Sequence, residues 1–204
     1  LRGFHLPLHG NVAISIPLDG GSETVRFDLK GGDGELVLPP PFSKAIPVRS
    51  VAFKGSYSGD SHLTEIDNLQ VELGPNWMVD LPEPINHRMP LRSFVMAGVF
   101  DGVGGVLSIN NFEGDLHGPK ATLKGKASGI GVDGDVLVEI EGEVVNVPIN
   151  DLARYWPRAI GTDAYGWVTT HVSGGTLDHV RAKAAFAINN EGTLKVDRVN
   201  GDMK

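Results

Sequence analysis

A β-strand whose apolar and polar residues alternate can keep one apolar face only while the alternation stays in phase. In this chain the phase slips by one residue at three places, and the slip looks the same each time. In Leu107-Ser108-Ile109-Asn110-Asn111-Phe112-Glu113-Gly114-Asp115-Leu116, Leu107 and Ile109 alternate, but Phe112 and Leu116 sit on the opposite parity. The upstream copy, Ile66-Asp67-Asn68-Leu69-Gln70-Val71-Glu72-Leu73, slips between Ile66 and Leu69. The downstream copy, Leu194-Lys195-Val196-Asp197-Arg198-Val199-Asn200-Gly201-Asp202-Met203, slips between Val196 and Val199. The Asx-containing pair at each slip reads as a β-bulge or tight corner, because Asn and Asp tolerate the dihedral angles needed there. At the Ile/Val position the copies lie 43 and then 87 residues apart. A beat of about 43 residues falls in the range of repeat architectures, in which one supersecondary unit buries its apolar face on the next.

Between the slipped segments, 27 Gly and 13 Pro in 204 residues supply turn chemistry, so the fold expected is all-β with repeated antiparallel strands. The strands would form a curved, elongated sheet or open groove, interrupted by a short two-helix insertion at 150–175. A net charge of −7 without any Lys/Arg cluster argues against nucleic acid as a partner, since phosphate neutralisation dominates such binding. No run approaches the roughly 20 apolar residues of a membrane-spanning helix, and no signal peptide opens the chain. The start at Leu1 without Met and the stop at Lys204 directly after the third copy read as a piece of a longer polypeptide. Zero Cys excludes disulfides, thiolate catalysis and Cys-zinc sites.

Two regions are expected, a β-meander over 1–90 and a β-repeat region with the helical insertion over 91–204. In the first, Asn11 to Ile16, Thr24 to Leu29 and Glu35 to Leu38 read as short strands, with turns at Asp19-Gly20-Gly21 and Gly31-Gly32-Asp33-Gly34. Pro39-Pro40-Pro41 stops the third of these, Val48 to Tyr57 resumes the alternation, and Gly74 to Pro90 reads as an irregular Pro-rich loop covering a sheet end. In the second, Phe94 to Phe100, Lys120 to Ala127, Asp135 to Val147 and Leu177 to Ile188 alternate as strands. Asp151 is positioned to cap a turn carrying Leu152, Tyr155 and Trp156, ended by Pro157. Thr162 is positioned to cap a second helix with Ala164, Trp167, Val168, His171 and Val172 along one stripe, closed by Gly174-Gly175. The residues expected to dock these helices on an apolar sheet face are Leu152, Tyr155, Trp156, Trp167 and Val168.

Catalytic and metal chemistry find little support. Nothing places Ser173 of the His171, Ser173, Asp178, His179 set on a nucleophile elbow, the seven His lack metal-ligand spacing, and Asp133-Gly134-Asp135 lacks the later ligands of a calcium loop. No catalytic residue, metal or cofactor is therefore expected, and the chain reads as a non-enzyme.

Asp151-Leu152-Ala153-Arg154-Tyr155-Trp156-Pro157, then Trp167-Val168 and Gly174-Gly175-Thr176-Leu177, together resemble the AsmA-like superfamily, specifically its YhdP-type (AsmA/TamB-related) envelope proteins. The repeated Leu-x-Ile-Asx-Asn-Phe-x-Gly-Asp-Leu strands resemble that family as well. The likeness covers residues 94–204 well and the first 90 only in style, and it departs at Tyr165, where members often carry Arg two positions before the Trp. The resemblance implies a long periplasmic protein of a Gram-negative envelope, held in the inner membrane by an N-terminal anchor. It also implies a β groove that carries phospholipid acyl chains toward the outer membrane, possible envelope protein partners, and no catalytic residues.

Residue chemistry by itself reaches an apolar trough without naming its cargo. Such a trough hides hydrocarbon at about 0.8 kcal/mol per buried methylene. Its lining candidates are Leu107, Ile109, Phe112, Val136, Val138 and Ile140. The competing expectations are a structural or adhesion module of the envelope, in which these residues form the closed core of a β-sandwich, and a carbohydrate-active β domain, which needs an exposed row of aromatics spaced for sugar rings.

Overall fold

In the computed structural model, residues 4–18, 21–37 and 45–203 are described. The strands are β1 (Phe4–His5), β2 (Leu8–Ser15), β3 (Thr24–Val37), β4 (Ala45–Ser58), β5 (Leu63–Leu73), β6 (Met78–Leu81), β7 (His87–Pro90) and β8 (Ser93–Asp101). They continue with β9 (Val106–Asp115), β10 (Lys120–Ser128), β11 (Val136–Pro148), β12 (Thr176–Ile188) and β13 (Leu194–Met203). Two short helices, α1 (Leu152–Tyr155, after a 3-10 turn at Ile149–Asp151) and α2 (Thr162–His171), lie between β11 and β12. Eleven strands form one open antiparallel sheet in the order β1-β3-β4-β5-β8-β9-β10-β11-β12-β13, with β2 also on β3. β1 and β2 lie end to end along the same edge of β3, so the sheet is ten rows wide. Its path is a meander without crossovers, the topology that short Gly-rich connections favour. The expected boundary near residue 90 falls in the β6–β7 excursion, and β5 pairs with β8 from Leu63 to Glu72 across it.

All three slips are bulges. Register shifts occur between Ile66 and Leu69 of β5, between Ile109 and Phe112 of β9, and around Asp197 of β13. In each, two residues of the bulged strand stand against one of its neighbour, so the apolar set returns to its original face. Glycines sit beside the bulges because backbone approaches closely there: a Cβ on Gly98, the partner of Ile109, would collide with the carbonyl oxygen of Ser108.

Several expectations need correction. Gly31-Gly32-Asp33-Gly34 is no turn but the middle of the single 14-residue strand β3, paired throughout with β4. Asp33 has φ 49° and kinks the strand, and side chains at 31, 32 and 34 would strike the carbonyls of Pro7, Arg49 and His5. The glycines answer crowding, not chain reversal. β5 and β9 are two strand positions apart and β9 and β13 four, so the doubling of the spacing from 43 to 87 residues follows the doubling of the number of strands, with one excursion, 74–92 or 149–175, in each interval. Gly74 to Pro90 is partly regular, since β6 and β7 pair as a small separate hairpin. Asp151 makes no side-chain capping bond, and α2 is entered through Gly161 in the left-handed region (φ 63°) while the Thr162 hydroxyl donates back to the Arg158 carbonyl. The expected turn at Asp19-Gly20 and the Pro39-Pro40-Pro41 stop lie outside the described residues.

Both long excursions leave from one end of the sheet, which they share with the tight β9–β10 turn, and the turns β4–β5, β8–β9, β10–β11 and β12–β13 lie at the other. At the excursion end, Trp77 and Leu91 pack on Ile46, Val48, Val71 and Leu73, so the first excursion covers a sheet end as its apolar residues suggest. Leu152 and Val168 pack with Val147, against Val144, Leu177 and Val180. The two excursions also meet, with His87 Nε2 3.1 Å from the Arg154 carbonyl oxygen. Leu116, which follows β9 at the same end of the sheet, is only 2% exposed.

Candidate functional site

Register decides which side chains share a face, because directly paired residues of adjacent strands point the same way. One row runs Val12, Phe27, Gly55, Ile66, Gly98, Ile109, Gly125, Ile140, Ala184, Val199 across ten of the eleven strands. The row on one side of it runs Ile14, Val25, Tyr57, Thr64, Phe100, Leu107, Ala127, Val138, Phe186, Val196. On the other side lie Leu29, Phe53, Leu69, Met96, Phe112 and Leu123. All six lining candidates, Leu107, Ile109, Phe112, Val136, Val138 and Ile140, therefore fall on one face, with only β10 between their two strands. The residues that sequence reasoning missed there, among them Val12, Phe27, Ile66, Met96 and Phe186, alternate in the same way. Only the register shows that they belong to the same rows.

This face is apolar and largely uncovered. None of the six candidates is fully buried; each is partly buried in a layer that no second sheet covers. The aromatic pairs on it, Phe27–Phe53 at 4.8 Å and Phe94–Phe112 at 5.5 Å, stack side by side within the sheet rather than beneath a second layer. Among the described residues the only other sheet is the β6–β7 hairpin, so no closed sandwich is formed. The excursions cover one end of the face and leave the middle rows open. In the middle row, Gly98 and Gly125 separate Ile66, Ile109 and Ile140, leaving dimples between branched side chains.

The helical motif is a brace at the covered end. Trp156 Nε1 donates to the Ile160 carbonyl at 2.6 Å, its ring meets Tyr165 edge-on at 5.7 Å, and Arg158 lies 5.7 Å over the Tyr165 ring. Leu152 and Val168 pack on Val147 with Tyr155 and Trp156 against them, and burial raises the Tyr155 hydroxyl above its ordinary pKa. Trp167 does not dock: it is 60% exposed and stacks on His171 at 5.3 Å. The helix presents Tyr165, Val168 and Val172 to the protein, and Trp167, one residue before Val168, is rotated about 100° out of that stripe.

The opposite face is charged. Lys124, Glu141 and Lys183 form one cross-strand row, with Lys183 Nζ 3.2 Å and Lys124 Nζ 3.8 Å from Glu141. Next to it Glu143 accepts from His179 Nδ1 at 2.6 Å and from Arg181 Nε at 3.0 Å, and these bonds, that from His179 first, lower its pKa. Two surface depressions of about 500 Å³ each are lined by these charged rows together with the row that lies between them, Leu123, Gly142, Ala182 and Gly201 in one and Ile109, Gly125, Ile140 and Ala184 in the other. At the β9–β10 turn, the Lys120 ammonium 2.7 Å from Asp115 holds that carboxyl below the usual range, helped by the backbone N–H of His117. His171 and His179 of the triad-like set engage the Trp167 carbonyl and Glu143 instead. Among the described residues no group of three or more His, Asp or Glu stands where it could hold a metal ion, and no helix is long and apolar enough to cross a membrane.

Comparison of the chain with models of known families, with characterised proteins and with solved structures gave no match.

Proposed function

We propose that the open apolar face is a non-enzymatic surface for hydrocarbon, on which phospholipid acyl chains lie during transfer between the inner and outer membranes of a cell envelope. Surface area carries the reading. The chain exposes 12447 Å², whereas a compact monomer of 21.8 kDa exposes roughly 9,300 Å². The excess of about 3,000 Å² is what a single-layer sheet leaves when one apolar face lacks a partner. Each acyl methylene laid on that face is stabilised by up to about 0.8 kcal/mol, without any need to recognise a head group. The YhdP-like Tyr-Trp-Pro segment supports the same reading, with a periplasmic location and an inner-membrane anchor elsewhere in the polypeptide. In this arrangement the braced excursions close one end of the face and direct hydrocarbon along the middle rows.

Mass spectrometry of lipids extracted from the purified chain tests this. The expected result is copurified phospholipid for the native sequence and its loss in a variant carrying both Ile109→Asp and Ile140→Asp, with the strand signal in circular dichroism unchanged. Native protein free of lipid, and unable to take up a fluorescent phospholipid from vesicles, would refute the proposal and leave a structural envelope module as the better account.

A further inference from the structure

The two edges of the sheet differ in how they are defended. β13 carries Lys195, Asp197, Arg198 and Asp202 and is bulged at Asp197, features that discourage another strand from pairing. β2, Leu8-His9-Gly10-Asn11-Val12-Ala13-Ile14-Ser15, has no charged residue, pairs with β3 without a register shift, and is exposed along its whole length. Leu8, Val12 and Ile14, with Ile16 just beyond, are between 49% and 66% exposed. Val12 and Ile14 are the end members of two apolar rows, so the rows stop in solvent rather than at a guard residue.

We infer that β2 is an association edge whose occupant is β2 of a second copy of this chain, added antiparallel about a two-fold axis normal to the sheet. That symmetry keeps both apolar faces on the same side and joins their rows into one continuous surface. The register with Val12 opposite its own counterpart places Gly10 against Ile14 and Leu8 against Ile16. The position lacking a side chain thus receives a bulky one, and no charge meets a like charge. On the polar side the same register sets Asn11 against Ala13. A β13 edge fits less well, because its bulge breaks the ladder and its charges would face uncharged residues. One pair of eight-residue strands buries little area, so the association is weak and depends on concentration. This inference does not rest on the lipid reading.

Sedimentation equilibrium of the native chain over a wide concentration range is the test, and a monomer–dimer equilibrium is the expected result. Replacing both Asn11 and Ala13 by Lys places two Lys pairs opposite each other across the two-fold and weakens the dimer roughly tenfold or more. Asn11→Lys combined with Ala13→Glu turns those pairs into Lys–Glu and restores the native constant. Both positions project from an exposed edge, and circular dichroism checks that the sheet survives. A chain that stays monomeric at every concentration overturns the inference, as does open-ended growth beyond the dimer or a dimer that both variants leave equally strong.

Discussion

The β9 bulge makes a sharp claim about deletions, because removing one residue at two sites three apart in the same strand has different consequences. Without Asn110 the strand reads Ile109, Asn111, Phe112, which alternates regularly; Ile109, Phe112, Gly114 and Leu116 all keep their faces. The bulge closes and no apolar residue changes environment, so the cost stays within about 1 kcal/mol, the ordinary range for an exposed loop-like position. Without Glu113 there are two ways to fold. If the bulge persists, Leu116, now 2% exposed, turns to the charged face, and Asp115 turns to the apolar one, away from its Lys120 partner on β10. If the bulge closes, Phe112 and Asn111 exchange faces, and Phe112 leaves its 5.5 Å stack with Phe94. The second route is cheaper. Exposing part of a Phe costs about 1.5–2 kcal/mol and the lost stack about 0.5–1.5 kcal/mol, so loss of Glu113 costs roughly 2–4 kcal/mol. With a urea m-value of about 2 kcal/mol/M or somewhat more, the midpoint falls by roughly 1–2 M for the Glu113 deletion and by under about 0.5 M for the Asn110 deletion. Equilibrium urea unfolding followed by circular dichroism separates the two. Equal losses would show that the Asn pair does not act as the register device inferred from its slip.

Two further outcomes follow from burial and charge. Leu116→Ala, at a buried position, lowers stability by about 2–4 kcal/mol, whereas Trp167→Ala, at an exposed position, changes it by less than about 1 kcal/mol; similar losses in thermal unfolding would contradict the helix phase described above. Asp115 binds a proton less readily in the folded chain than in the unfolded one, so its contribution is complete above the ordinary carboxylate pKa of about 3.9 and disappears as pH falls through its lower folded value. Urea midpoints measured from neutral pH to about pH 3 should therefore fall less steeply at the acid end for Asp115→Asn than for the native chain; an identical slope would show that the Lys120 bond does not perturb the carboxyl.

Alternation, turn residues and the three slips are local properties, and from them the sequence by itself determined that the chain is antiparallel β, where its bulges lie, and that Leu107, Ile109, Phe112, Val136, Val138 and Ile140 share a parity pattern fit for one face. A pleated backbone sends neighbouring side chains to opposite sides whatever surrounds it, so that information needs no tertiary context. The glycines of 31–34 were misleading for the converse reason: a Gly required by a neighbouring carbonyl and a Gly required by a turn look alike until the neighbour is known. Trp167 was assigned to the docked stripe because a ten-residue helix with scattered apolar residues fits more than one phase, and only the seat of Val168 on Val147 selects it. Whether the apolar face would be shut by a second sheet or left open was also undecidable from alternation, since both outcomes demand the same side chains. The tertiary structure decided it through connectivity: every described strand outside the β6–β7 hairpin entered one meander, and the two excursions were long enough to cover one end of the face but not its middle rows.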